Sequence, residues 1–171
     1  SASFQRVRQR WRGASRLDSV DMAKDEFIEV NLVSWRDEAP RLAAVRRTVF
    51  IEEQDVPEAL EWDDADVDNV HALALAPDGT PIGTGRLLPD GHIGRMAVLA
   101  SHRGRGVGAA VLLTLIEAAR ERGHDVVELA AQLHAIGFYA RFGFVAHGPV
   151  FDDAGIPHRT MTLRLHRHRG A

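Results

Sequence analysis

GRMAVLASHRGRGVGAAVLLTLIEAARERG, residues 94–123, reads as a strand, a glycine-rich turn and a long helix. Ile93, Met96, Val98 and Leu99 are apolar enough for a buried strand, bounded by Gly91 before and Ser101 after. Val107, Val111, Leu112, Leu115, Ile116 and Ala119 recur at helical spacing and make one apolar face. Gly123 is placed to end that helix. Between strand and helix, Arg103-Gly104-Arg105-Gly106-Val107-Gly108 puts three glycines within five residues, so a ligand can approach the backbone closely. The helix start then offers unpaired N–H groups and the positive end of a dipole, which suits a phosphate. Arg103 and Arg105 add charge for a second one. The same glycines also suit a tight turn that packs a helix against a sheet.

Two phosphate motifs fail here. Gly108-Ala109-Ala110 stands where a Walker loop needs Gly-Lys-Ser/Thr, and Val111 stands where the dinucleotide fingerprint needs its third glycine. At 171 residues, with 45% hydrophobic and 26% charged residues, the chain has the size and composition of one soluble domain. It has no cysteine, which excludes disulfides, thiolate metal sites and a cysteine nucleophile. No apolar run reaches bilayer length, no secretory segment is seen, and a net charge of −3 gives no global reason for nucleic acid. The expectation is a cytoplasmic protein without membrane or nucleic-acid partners.

Residues 1–21 form a basic extension, with Arg6, Arg8, Arg10, Arg12 and Arg16 against Asp18 and Asp21. Read functionally it is a membrane or nucleic-acid contact; read plainly it is a surface extension ahead of a domain spanning 22–171. Phe27–Trp35 alternates loosely as a first strand, and Pro40 opens a helix whose apolar face is Leu42, Val45, Val49 and Phe50, with Arg41, Arg46 and Arg47 solvated. Residues 52–68 hold nine acids and no Lys or Arg. That block is either a negative rim that steers a cationic amine or a solvated helix–loop face. Asp64, Asp66 and Asp68 have calcium-loop spacing, but Asn69 replaces the turn glycine and Leu75 the bidentate Glu, so no metal is expected.

Val70–Ala76 and Pro81–Leu88 flank Pro77-Asp78-Gly79-Thr80, a hairpin signal, while Gly83 and Gly85 suggest a bulge or close backbone approach. His92–Leu99 is the next strand. After the long helix come a buried strand over Val126–Ala131 and a short helix over His134–Phe142. Two strands follow, Phe144–His147 and His158–Leu165, around a loop at Asp152–Pro157. The tail from His166 to Arg169 has metal-tract composition, but reads as a frayed end.

Arg103-x-x-Gly106-x-Gly108 resembles the coenzyme A pyrophosphate loop of the GNAT N-acetyltransferase family, and Arg95-Met96-Ala97-Val98 resembles that family's fourth strand. Tyr139-Ala140-Arg141-Phe142-Gly143-Phe144 resembles its Y-x-x-x-G-F segment, in the expected order and distance. The likeness covers roughly residues 27 to 165. Four stretches narrow it to the ElaA-like (YjcF-like) branch: Val49-Phe50-Ile51-Glu52-Glu53-Gln54, Gly85-Arg86-Leu87-Leu88, Ile93-Gly94-Arg95-Met96-Ala97-Val98 and Gly155-Ile156-Pro157-His158.

The resemblance implies an α/β (α+β) fold: a mixed, mostly antiparallel sheet of about seven strands flanked by helices and split between strands 4 and 5, with coenzyme A in the split. It implies acetyl-CoA as acyl donor, no metal, and a primary amine acceptor, small-molecule or peptidyl and in one reading cationic; a homodimer is compatible with it. By the same resemblance, Arg103, Gly104, Arg105, Gly106, Val107, Gly108 and Ala109 hold the pyrophosphate. Met96, Ala97 and Val98 meet pantetheine and help polarise the thioester carbonyl. Gln132 replaces an asparagine that contacts the cofactor. Tyr139 matches the general acid that protonates the departing sulfur. Glu53 and His158 are candidate bases, His158 also an acceptor contact; Glu52, His71, His92, Glu128 and water relays remain open. The reading is an N-acetyltransferase, set against a non-catalytic acyl-CoA sensor on the same fold.

Overall fold

The structure is a computed structural model that describes residues 28–166; the basic extension and the end of the tail lie outside the described residues. Four strands form one antiparallel sheet in spatial order: β1 (Glu29–Val33), β2 (Val70–Leu75), β3 (Pro81–Leu87) and β4 (Ile93–Val98). β5 (Val126–Gln132), β7 (Ile156–Arg164) and β6 (Val145–Asp153) form a second, with β7 in the middle. The two sheets touch through one parallel bridge, His92 to Glu128, supported by Glu128 N–H donating to the Gly91 carbonyl at 3.2 Å. Beyond that bridge β4 pairs only with β3 and β5 only with β7, so the strands diverge. The expected split lies there.

Ser34 begins helix α1 (Trp35–Arg46), its hydroxyl accepting the Asp37 N–H at 3.1 Å, with Asp37 and Glu38 in the first turn. The helix therefore starts five residues before Pro40, which was expected to open it. Pro40 sits exposed inside the second turn. After Arg46 the backbone widens into a π-helical turn (Arg47–Glu53) that ends in Asp55 at φ +57°. This bulky turn buries Val49 and Phe50 and carries Glu53 and Gln54 toward the split. A four-residue helix, α2 (Glu58–Glu61), and a 3-10 turn (Asp64–Asp68) complete the acidic block.

Helix α3 (Val107–Glu121) crosses the first sheet, and every residue of its expected apolar face is buried. Gly123 at φ +82° ends it, with Gly123 N–H bonded to the Arg120 carbonyl and His124 N–H to Ala119. The helix approaches β3 so closely that a β-carbon on Gly85 would lie 2.7 Å from Leu115 Cδ1 and from Met96 Sδ, and one on Gly83 2.8 Å from Val107 Cγ1. Gly85→Ala is expected to lower stability by about 1–3 kcal/mol through overpacking. Gly94→Ala, whose β-carbon meets nothing within 4 Å, is expected to change it by less than about 0.5 kcal/mol. Urea denaturation midpoints of the two variants check the contrast.

The C-terminal hairpin differs from expectation. The loop read at Asp152–Pro157 is a two-residue turn, Ala154 at φ +53° and Gly155 at φ +81°. That turn is compatible with strand twist, so both strands run nine residues. Ala154 and Ile156 at its tip pack on Val45, Val49, Phe50, Val56 and Ala97. The hairpin tip, the π-helical turn and β4 thus enclose one side of the split. The segment after β5 is a 3-10 turn (Leu133–Ala135) followed by helix α4 (Ile136–Ala140).

Candidate active site

Gly104 (φ +75°) and Gly106 (φ +83°) turn the chain out of a 3-10 segment at Ala100–His102 and into α3. Among the described residues no side chain caps α3; its first intrahelical bond runs from Ala110 N–H to the Gly106 carbonyl at 3.0 Å. The N–H groups of Val107, Gly108 and Ala109 therefore point past the helix end. A β-carbon on Gly108 would meet Phe138 Cζ at 3.5 Å and Val98 Cγ2 at 3.7 Å, ordinary contact distances. The protein's own packing does not demand glycine there.

Hydrogen-bond alternation decides which backbone groups of β4 face the split. Leu99 N–H donates to the Ile82 carbonyl at 2.9 Å, and the next pair inward is Gly83 with Val98. In an antiparallel ladder that pair is the non-bonded kind, so the Val98 N–H and C=O turn away from β3. They face the gap. The Met96 side chain lies over Gly85 and the core, and Ala97 is buried beneath the π-helical turn.

Arg103 joins these pieces. Its Nε donates to the Val98 carbonyl at 3.0 Å, and its two terminal nitrogens hold Glu53 at 2.5 and 2.6 Å. That bidentate pair holds the Glu53 carboxyl below its ordinary pKa. Arg105 lies on the other side of the loop, lining a shallow pocket with His102, Val107 and Pro77.

Tyr139 projects from α4 into the core at 7% exposure, edge-on to Phe138 (5.1 Å between centroids) and to Phe144 (5.9 Å). Phe138 in turn reaches Gly108, so the tyrosine is seated against the start of α3. Burial pushes the phenol up to about 12. It stays protonated across the neutral range.

At the open end of β5, Gln132 exchanges amide hydrogen bonds with Gln54, the shorter at 2.9 Å. His158 stands opposite Gln132 in the β5–β7 register and opposite Phe151 in the β6–β7 register, its ring stacked on Phe151 at 6.0 Å. His158 Nδ1 lies 2.6 Å from the Ile156 carbonyl. A carbonyl only accepts, so Nδ1 carries the hydrogen and Nε2 keeps its lone pair. Arg103, Val98 and Glu53 are thus in direct contact, Gln132 and Gln54 bridge beside them, and His158 shares the Gln132 end.

Part of the acidic block departs from the solvated face that was one of its two readings. Five of its nine acids pair with arginines drawn from other elements. Glu53 holds Arg103, Glu58 holds Arg47 at 2.7 Å, and Asp63 and Asp66 hold Arg86 at 2.9 and 2.8 Å. Glu61 and Asp66 hold Arg46 at 2.7 and 2.8 Å. Arg46, expected to be solvated, is 1% exposed, with its guanidinium against the rings of both Trp35 (5.3 Å) and Trp62 (5.1 Å). Glu61 and Asp66 are 2% exposed. Glu61 and Asp66 anchor an interior ion lattice, to which Asp66 is committed, while the other seven acids of the block stay exposed. His71 donates Nε2–H to the Asp66 carbonyl at 2.8 Å and burial lowers its pKa, while His92 bridges Asp90 and Glu128. A run of acids without internal bases was the one sequence signal that distant arginines had to meet it.

A family model described as "Acetyltransferase (GNAT) domain" matches residues 36–165, which span the split, the glycine loop and α4. The uncharacterised N-acetyltransferase YjcF of Bacillus subtilis (strain 168) is 39% identical over 122 residues, covering 68% of this chain and 86% of YjcF. Among solved structures, Escherichia coli ElaA aligns with a TM-score of 0.70 at 30% identity, over 79% of this chain and 98% of ElaA. An acyl-CoA N-acyltransferase from Pseudomonas aeruginosa aligns with a TM-score of 0.70 at 32% identity, over the same shares of the two chains.

Proposed function

We propose that this chain, which belongs to the GNAT family of acetyltransferases, transfers an acetyl group from acetyl-CoA to a primary amine by direct attack in a ternary complex. The observation that carries the reading is the β4–β5 gap, with Val98 backbone groups turned into it and the uncapped start of α3 at its mouth. A pantetheine arm needs an extended slot with amide partners, and a pyrophosphate needs N–H groups and a guanidinium at its end. The residues present fit both demands. Acetyl-CoA supplies the activated acyl group as substrate.

The chain's own groups divide the work. The N–H groups of Val107 to Ala109 and the Arg103 guanidinium bind the diphosphate, and the Val98 backbone aligns the arm. Tyr139 hands its proton to the sulfur that leaves. The attacking amine must first lose a proton, and in this reading the His158 Nε2, left free by the Nδ1 contact with the Ile156 carbonyl, takes it directly or through water. Glu53 becomes available as a base only when Arg103 turns from it to the diphosphate. The acceptor is a small-molecule or peptidyl amine that enters beside the hairpin tip.

Calorimetric titration with acetyl-CoA tests this. Micromolar binding is expected for the wild-type protein, with a loss of about 10²-fold or more in folded Arg103→Ala and Gly106→Glu variants. Glu53→Gln frees Arg103 and is expected to tighten binding by roughly threefold to tenfold. No binding by the wild-type protein sinks the acetyltransferase reading.

A further inference from the structure

β4 carries one residue more than the strand it pairs with. Arg86 lies opposite Gly94, yet Thr84 lies opposite Ala97, so two steps along β3 match three along β4. The extra residue is accommodated at Arg95, whose φ is +49°. Left-handed backbone is glycine's region, and a glycine stands next door at 94 with nothing near its missing β-carbon. An arginine in that conformation persists only where its surroundings over-determine it.

Those surroundings are the interior ion lattice. Arg95 donates to the Leu60 and Glu61 carbonyls at 3.4 and 3.2 Å, and its guanidinium lies 3.5 Å from the Glu61 carboxylate and 3.7 Å from Asp63. Glu61 is itself locked by Arg46 through both its carboxylate and its carbonyl. Arg86, the cross-strand partner of Gly94, grips Asp63 and Asp66 in the same lattice. The lattice therefore holds the sheet on both sides of the bulge.

The bulge has a consequence at the gap. Continued in regular register from Arg86–Gly94, the ladder would set Gly83 opposite Ala97 and Ile82 opposite Val98. The extra residue slides the pairing by one, and such a slip exchanges which residues turn their polar groups outward. It is the reason that Val98, and not Ala97, presents N–H and C=O to the split.

We infer that Arg95 is a positioning residue of the donor site. Anchored in the lattice, it holds the bulge that aims the Val98 backbone at the pantetheine arm. The inference rests on the proposed donor site and adds a residue that touches no substrate.

Arg95→Gly tests it, because glycine accepts φ +49° without strain and only the anchor is lost; Arg95→Asn, which also tolerates that region, serves if the glycine variant does not fold. Two probes are titrated into wild type and variant: acetyl-CoA, and its nucleotide half without pantetheine, 3′-phospho-ADP. The expected result is an affinity for acetyl-CoA about tenfold weaker, the worth of one or two lost hydrogen bonds, with unchanged affinity for 3′-phospho-ADP. Equal weakening of both probes reveals a merely structural residue and overturns the inference, as does no change in either. Failure of the wild-type protein to bind either probe strikes the donor site itself, a separate result.

Discussion

Arg46→Ala is expected to lower the unfolding free energy by about 3–5 kcal/mol, the usual cost of removing one partner from a buried charge cluster. The guanidinium is 1% exposed and supplies the closest partners of Glu61 as well as one of the two arginines on Asp66. Without it, Asp66 keeps Arg86 at 2.8 Å, but the nearest cation to Glu61 is Arg95 at 3.5 Å. Desolvation already raises the Glu61 pKa above its ordinary value, and losing Arg46 pushes it further in that direction. Trp35 and Trp62 lose the cation packed against both of them as well. Replacing both ions, in Arg46→Met/Glu61→Leu, is expected to recover much of the loss, because the penalty comes from the orphaned charge and not from the missing attraction. Urea denaturation of the three proteins checks both statements. A loss below about 1 kcal/mol for Arg46→Ala shows that the lattice is not sealed from water.

Tyr139→Phe is expected to cut turnover by about 10²–10⁴-fold while acetyl-CoA affinity changes little, since in the proposed mechanism the phenol acts on the departing sulfur. Unchanged turnover removes Tyr139 from the mechanism. The residue offers an independent readout because it is the chain's one tyrosine. Phenolate absorbance in the folded protein is expected to rise with a midpoint near about 12, against about 10 after unfolding. The folded state thus holds the proton more tightly than the unfolded chain. The stability linked to this group is fully present below pH about 10 and is lost as pH climbs toward about 12, on the order of 2–3 kcal/mol in all. Tyr139→Phe should lack that decline. A native midpoint near 10 means that the ring is not enclosed by Phe138 and Phe144.

Much of the site could be read from local chemistry. Gly104, Gly106 and Gly123 adopt the positive φ values that glycine permits, the Pro77–Thr80 turn joins β2 to β3, and the apolar spacing of α3 is the face it buries. Each of these depends on residues within about one or two helical turns of one another, where backbone sterics and periodicity act. The same locality carries the glycine loop and the segment around Tyr139 into the right elements. Charge pairing has no such locality. Arg46 looked solvated because a charged side chain with no acid near it in sequence reads as exposed, yet its partners lie 15 and 20 residues away at Glu61 and Asp66. Glu53 looked like a free base, and its partner Arg103 is 50 residues on. Arg95 shows nothing unusual in sequence, because a bulge is a mismatch between two strands and belongs to neither alone. Glycines, turns and apolar periodicity determined the elements and the glycine loop that opens α3; the tertiary structure alone decided which carboxylates are neutralised and which carbonyl faces the split, because both depend on side chains and strands that meet only when the sheet is assembled.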